Sequence, residues 1–206
     1  MSVVKLSNNG VKNATAFGSI SALGSMTFIK KLTADGSGDN LTFVDGTSSV
    51  VLDNTYKEYI FTFNNMHPST NAVKFQVNFR DGGSAYDATK TTSSFEAYHN
   101  EAGSAAAVEY IATTDLAQST SAQQISDGLG NENDESCSGF LHLFNPSSTT
   151  FVKHFLIQAN MYNGGNLSVQ DFISGYCNTT SAIDGVQFSM TSGNIDAGDI
   201  CLYGIS

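Results

Sequence analysis

The chain has 206 residues, 40% of them apolar and 14% charged, with a formal net charge of −10; an average soluble domain carries roughly 25% charged residues. Nine Lys and Arg against nineteen Asp and Glu argue against nucleic acid and against an anionic membrane as partners, because both need clustered cations. No apolar run approaches the roughly 20 residues of a spanning helix, while 14 Phe and 8 Tyr supply material for a core.

Residues 1–25 are rich in Asn, Ser, Gly and Ala, and their apolar pattern is weak. They read as an extended arm or linker, without the apolar h-region of a secretory signal. A single β-domain over 26–206 is expected to follow. Met26 to Leu32 opens it as a strand. Asn40 to Val44 and Ser49 to Leu52 flank Asp45-Gly46, which predicts a tight hairpin. Tyr56 to Phe63 alternates apolar and polar residues. The clearest alternation is Val73 to Arg80, a half-buried antiparallel strand stopped by Asp81-Gly82-Gly83. Ser94 to His99 and Val108 to Thr113 continue the series, with a short helix over Ser104 to Tyr110 as a competing reading. Phe140 to Phe144 follows. Phe151 to Met161 has a continuously apolar centre, which places it in the middle of a sheet. Gly185 to Met190 and Asp199 to Ile205 close the chain. Nine or ten strands and few helices predict an all-β antiparallel sandwich, with jelly-roll connectivity expected. An immunoglobulin-type sandwich is disfavoured, since there is no core Trp beside a Cys pair.

Few residues propose chemistry. Cys137, Cys177 and Cys201 read as reduced, partly buried thiols. His67, His99, His142 and His154 fall in no metal or nucleophile motif. The loops holding Asp35 and Asp39, and Asp127 and Asp134, gather the hard oxygen donors that Ca²⁺ accepts. Leu129, however, breaks an EF-hand pattern, so these four aspartates are minor candidates and no metal or cofactor is expected. A glycosidase needs two carboxylates across a cleft; Glu58, Glu96, Glu109 and Glu135 are available, but sequence cannot pair them, and no enzyme activity is expected. Tyr86, Tyr98, Tyr162 and Tyr176 could stack on a glycan; strand-end packing explains such residues equally well. Sequons at Asn13, Asn40, Asn166 and Asn178 are no more frequent than chance supplies in so Ser/Thr-rich a chain.

Three segments carry a family resemblance: Phe79-Arg80-Asp81-Gly82-Gly83-Ser84-Ala85-Tyr86-Asp87-Ala88-Thr89-Lys90, Phe140-Leu141-His142-Leu143-Phe144-Asn145-Pro146, and Gly193-Asn194-Ile195 through Ile200-Cys201-Leu202-Tyr203-Gly204-Ile205. Together they resemble small virion structural proteins of tailed phages of marine and aquatic bacteria. The resemblance spans Met26 to Ser206 and transfers no catalytic residue. It implies a virion location, assembly in a bacterial cytoplasm, and a major capsid or tail protein as partner. The expected role is a capsid decoration or cement protein, assembled as a homo-oligomer with a trimer favoured. The alternatives are a fibre, spike or tail-tip subunit that binds a host glycan, or a non-viral carbohydrate-binding module.

Overall fold

Alternating sequence becomes alternating burial. The structure, a computed structural model, describes residues 25–206. Apart from Ser25, the expected arm lies outside the described residues. Twelve strands follow in chain order: β1 (Met26–Thr33), β2 (Asn40–Val44), β3 (Glu58–Pro68), β4 (Phe75–Arg80), β5 (Lys90–Asn100), β6 (Ala106–Tyr110), β7 (Gln123–Gln124), β8 (Ser136–Phe144), β9 (Lys153–Asn163), β10 (Leu167–Cys177), β11 (Gly185–Met190) and β12 (Ile195–Ile205). They form two antiparallel sheets. One has eight strands in the order β1-β12-β3-β8-β9-β10-β5-β6; the other has four, β2-β11-β4-β7. The expected all-β sandwich is what the chain forms.

A Phe-rich layer fills the space between the sheets. Phe188 of β11 stacks on Phe75 of β4 at 5.7 Å, and both meet β3 across the gap through Phe61 and Phe63. Phe43 of β2 sits edge-on to Phe61 at 5.2 Å, and Phe79 meets Phe155 of β9 at 5.0 Å. All of these rings are fully buried, each contributing roughly 1.5–3 kcal/mol by leaving water. The thiols of Cys137 and Cys177 are buried in the same layer. Adjacent strands also approach closely: a Cβ on Gly139 would collide with the Gln158 carbonyl oxygen.

The structure corrects several strand expectations. Asp45-Gly46 does turn the chain, but Ser49 to Leu52 is not a strand. The Asp45 carboxylate instead accepts the Leu52 N–H at 2.8 Å, so the loop folds over and delivers Val50 and Leu52 to the core. β2 pairs with distant β11 rather than with a hairpin partner. Residues 106–110 are strand, not helix, because they pair with β5 along its edge. β10 falls where the alternation predicts no strand. Its inward side carries Val169, Asp171, Ile173 and Cys177, so a buried carboxyl interrupts the apolar alternation.

β5 and β9 also carry lysines inward. Lys90 and Lys153 face the two sides of Cys177 in register and are fully buried. Lys90 Nζ donates to Asn78 Oδ1 and to the Ala88 carbonyl. Lys153 Nζ donates to the carbonyls of Thr179 and Ser181. Burial pulls the Lys90 ammonium down to about 8; hydrogen-bond acceptors are what make an inward lysine tolerable.

Candidate functional site

An antiparallel sheet in a sandwich normally shows a polar outer face. The eight-stranded sheet departs from that rule, and its pairing register gives the departure a shape. Side chains directly opposite one another share a face. One outward row reads Phe28, Tyr203, Ile60, His142, Leu156, Ser174 and Ser93 across β1, β12, β3, β8, β9, β10 and β5. The next reads Lys31, Cys201, Thr62, Phe140, Gln158, Phe172, Phe95 and Tyr110. In a third row Val108 of β6 lies beside Ala97 of β5.

These apolar side chains are accessible. Phe28 is 57% exposed, Leu156 47% and Val108 73%. Phe95 and Phe172 stack face to face at 4.8 Å and 7° on the open surface, and Phe28 packs edge-on to Tyr203 at 5.7 Å. Two hollows open side by side here. One, of about 440 Å³, is lined by Phe144, His154, Leu156, Gly175 and Tyr176. The other, of about 240 Å³, is lined by Phe95, Phe140, Leu156 and Phe172. Leu156 is the ridge between them. Its exposure explains the unbroken apolar centre of β9: the strand is central, as expected, but its outward leucine is not covered. Contiguous exposed apolar surface of this kind marks an interaction site.

The tyrosines proposed from sequence do not converge. Tyr176 lines the larger hollow, 6.1 Å from the His154 ring. Tyr162 is on the same face, but it pairs with Ser168, eight residues from Tyr176 along β10 and so roughly 26 Å away. Its hydroxyl donates to Asn166 Oδ1. Tyr98 points inward and packs against the core. Tyr86 lies in the 81–89 loop, close to Arg80 and Gly185, where burial raises its hydroxyl above the ordinary value.

Nor do the four calcium candidates gather. Asp35 accepts the backbone N–H and hydroxyl of Ser37, bonds that hold its carboxyl below the ordinary range. Asp127 is paired with Lys74 at 2.8 Å. Asp39 and Asp134 belong to the same two loops. Among the described residues no group of three His, Cys, Asp or Glu side chains is placed to hold a metal. The four glutamates also divide. Glu58 bonds His142 at 2.9 Å on the outer face. Glu135 is buried and accepts the Glu132 N–H. Glu96 sits opposite both Asp171 and Glu109 on the inner side. There burial, with Glu96 and Asp127 nearby, pushes the Asp171 carboxyl up to about 8, and its Oδ2 has no hydrogen-bond partner.

A polar cleft of about 500 Å³ lies at one end of the large sheet, lined by Asn65, His67, Glu135 and Asp196. His67 Nδ1 is 2.6 Å from the Asp196 carboxylate and Nε2 is 3.1 Å from the Glu132 carbonyl. Both partners accept hydrogen bonds, an arrangement that favours the doubly protonated ring. Burial alone would depress it, but the Asp196 bond, the Glu132 carbonyl and the nearby Glu135 outweigh that, and it titrates above 6.5.

Sequence reading missed the apolar face because it lies on eight strands that are far apart in the chain. The available signal was Leu156 and Phe172, apolar residues at positions where strict alternation calls for polar ones. Comparison with protein-family models, curated proteins and solved structures finds no match to this chain.

Proposed function

We propose that this protein is a structural subunit of a phage particle, a capsid decoration or cement protein that works by packing and not by chemistry. The observation that carries the proposal is the uncovered apolar face of the eight-stranded sheet. The structure leaves Phe28, Phe140, Leu156 and Phe95 in water where its other sheet presents polar groups, and a protein surface is the cover that best repays such exposure. The resemblance of residues 26–206 to virion structural proteins points the same way.

The connectivity supports the jelly-roll reading that belongs with this role. One sheet runs β1-β12-β3-β8 before its later strands and the other runs β2-β11-β4-β7, and the chain crosses between sheets at each step from β1 to β4. β5–β6 and β9–β10 then read as hairpins that widen one sheet. Capsid and lectin domains both use jelly rolls, so the fold alone does not choose between them. The scattering of Tyr86, Tyr98, Tyr162 and Tyr176 over separate regions favours the structural role over a glycan-binding platform.

An antibody to the chain, applied to particles purified from its native source and viewed by electron microscopy, tests the proposal. Label on heads is the expected result. Label confined to tails or fibres transfers the protein to the tail-tip alternative, and unlabelled particles overturn the virion role.

A further inference from the structure

We infer that the apolar outer face of the eight-stranded sheet is covered by the same face of a second copy of this chain, making a two-fold dimer. The inference rests on the reading of this face as a packing surface in the proposed function and adds the partner and the symmetry.

Charge selects the partner. The chain carries a formal −10, yet among the described residues few formally charged side chains lie on this face: Lys31, Asp199 and Glu58 by register, and at its end Asp196, which bonds His67. Each is already answered there. Lys31 Nζ bonds Asp199 at 2.8 Å, and Glu58 bonds His142 at 2.9 Å. A cationic partner gains most from the acidic remainder of the molecule and finds nothing to attract it here. Two like-charged copies face the opposite problem. Almost any other contact sets carboxylates against carboxylates, whereas this face lets them meet with little repulsion.

The dimensions fit as well. Eight strands at about 4.8 Å spacing span about 34 Å, and three outward rows add about 20 Å along the strands. The footprint of this outer face, polar positions such as Thr62 and Gln158 included, is about 700 Å², close to the roughly 800 Å² per partner of a stable interface. Its centre holds Leu156, Phe140 and the stacked Phe95–Phe172 pair, flanked by the two hollows. Large apolar and aromatic anchors beside hollows are the usual core of an interface. The same patch on both partners is self-complementary only about a two-fold axis, so the count is two, not the three favoured from sequence.

Light scattering of the purified protein tests this without any particle. The expected mass is twice 21.8 kDa. Phe140→Asp combined with Leu156→Asp should weaken association roughly 100-fold or more and give a monomer with unchanged near-ultraviolet circular dichroism. Gln187→Asp, on the outer face of the other sheet, should leave the dimer intact. Should the double variant misfold, Leu156→Asn alone supplies the milder test, with a measurable rise in the dissociation constant expected. A monomeric wild type, a trimer, or a dimer that survives the folded face variants overturns the inference. Particle labelling can fail while the dimer stands, and the reverse, so the two readings are separately tested.

Discussion

On the four-stranded sheet, Gln76, Asn78 and Arg80 of β4 and Gln187 and Ser189 of β11 point away from the core. On the eight-stranded sheet, Ile60, Phe140, Leu156, Phe172 and Phe95 occupy the equivalent outward positions. Both sheets bury their inner faces with the same Phe-rich chemistry, so hydrophobicity alone does not separate them. What separates them is which residues stand on the outer side, since each sheet of a two-layer sandwich buries only one of its faces. Apolar residues on the other side are surplus to folding, and surplus apolar surface is what assembly uses.

The sharpest way to break this comparison is to truncate one ring on each side. Phe188→Ala removes a fully buried ring between the sheets and should cost about 3–5 kcal/mol. Phe172→Ala on the outer face should cost the isolated, dilute protein less than about 1 kcal/mol. Urea unfolding at low protein concentration reads both. Equal losses would mean that the outer face belongs to the fold and not to a partner.

The inner face can be probed by pH. Asp171 is ionised in the unfolded chain above about 4, but in the fold its carboxyl holds a proton up to about 8. The folded state therefore binds the extra proton, and stability falls as pH rises through that window, by roughly 1 kcal/mol per unit. Above the window the loss is complete; below it the loss vanishes. Asp171→Asn cannot ionise and should flatten the slope, becoming more stable than the native protein at pH 8. An unchanged slope would show that the carboxyl is solvated.

Close packing between β8 and β9 gives a smaller effect. Gly139→Ala sets a methyl against the Gln158 carbonyl and the Ala159 backbone and should destabilise by about 1–3 kcal/mol, visible as a lower thermal midpoint. The smallest effect belongs to His67. Its folded value is raised, so its contribution is whole below pH 6.5 and is lost as pH climbs through the folded value. His67→Gln keeps a hydrogen-bonding side chain without the charge. The thermal midpoint of that variant should lose less between pH 6 and pH 9 than the native one does.

Much of the fold was legible. β2 and β11 begin and end where the sequence places them, and β4 emerges from the Val73–Arg80 alternation with only its start moved. These strands have one wet and one dry side, so period-two patterning describes them fully. β10 was illegible for the opposite reason: Asp171 and Phe172 each sit on the side where pattern calls for the other kind of residue. The false hairpin at Asp45-Gly46 shows a different limit. The turn was correctly read, but pairing was settled by β11, some 140 residues away. Of the candidate site, the unbroken apolar centre of β9 reads in the sequence as the middle of a sheet, and Tyr176 as a possible glycan contact.

The sequence by itself determined that this chain forms strands and that its strands form a sandwich, because local alternation and Phe abundance are properties of short windows. Only the tertiary structure decided which apolar residues stay wet. That outcome depends on how distant strands pair: the register gathers Phe28, Phe140, Leu156, Phe172 and Phe95 on one outer face, and no window of sequence contains that pairing.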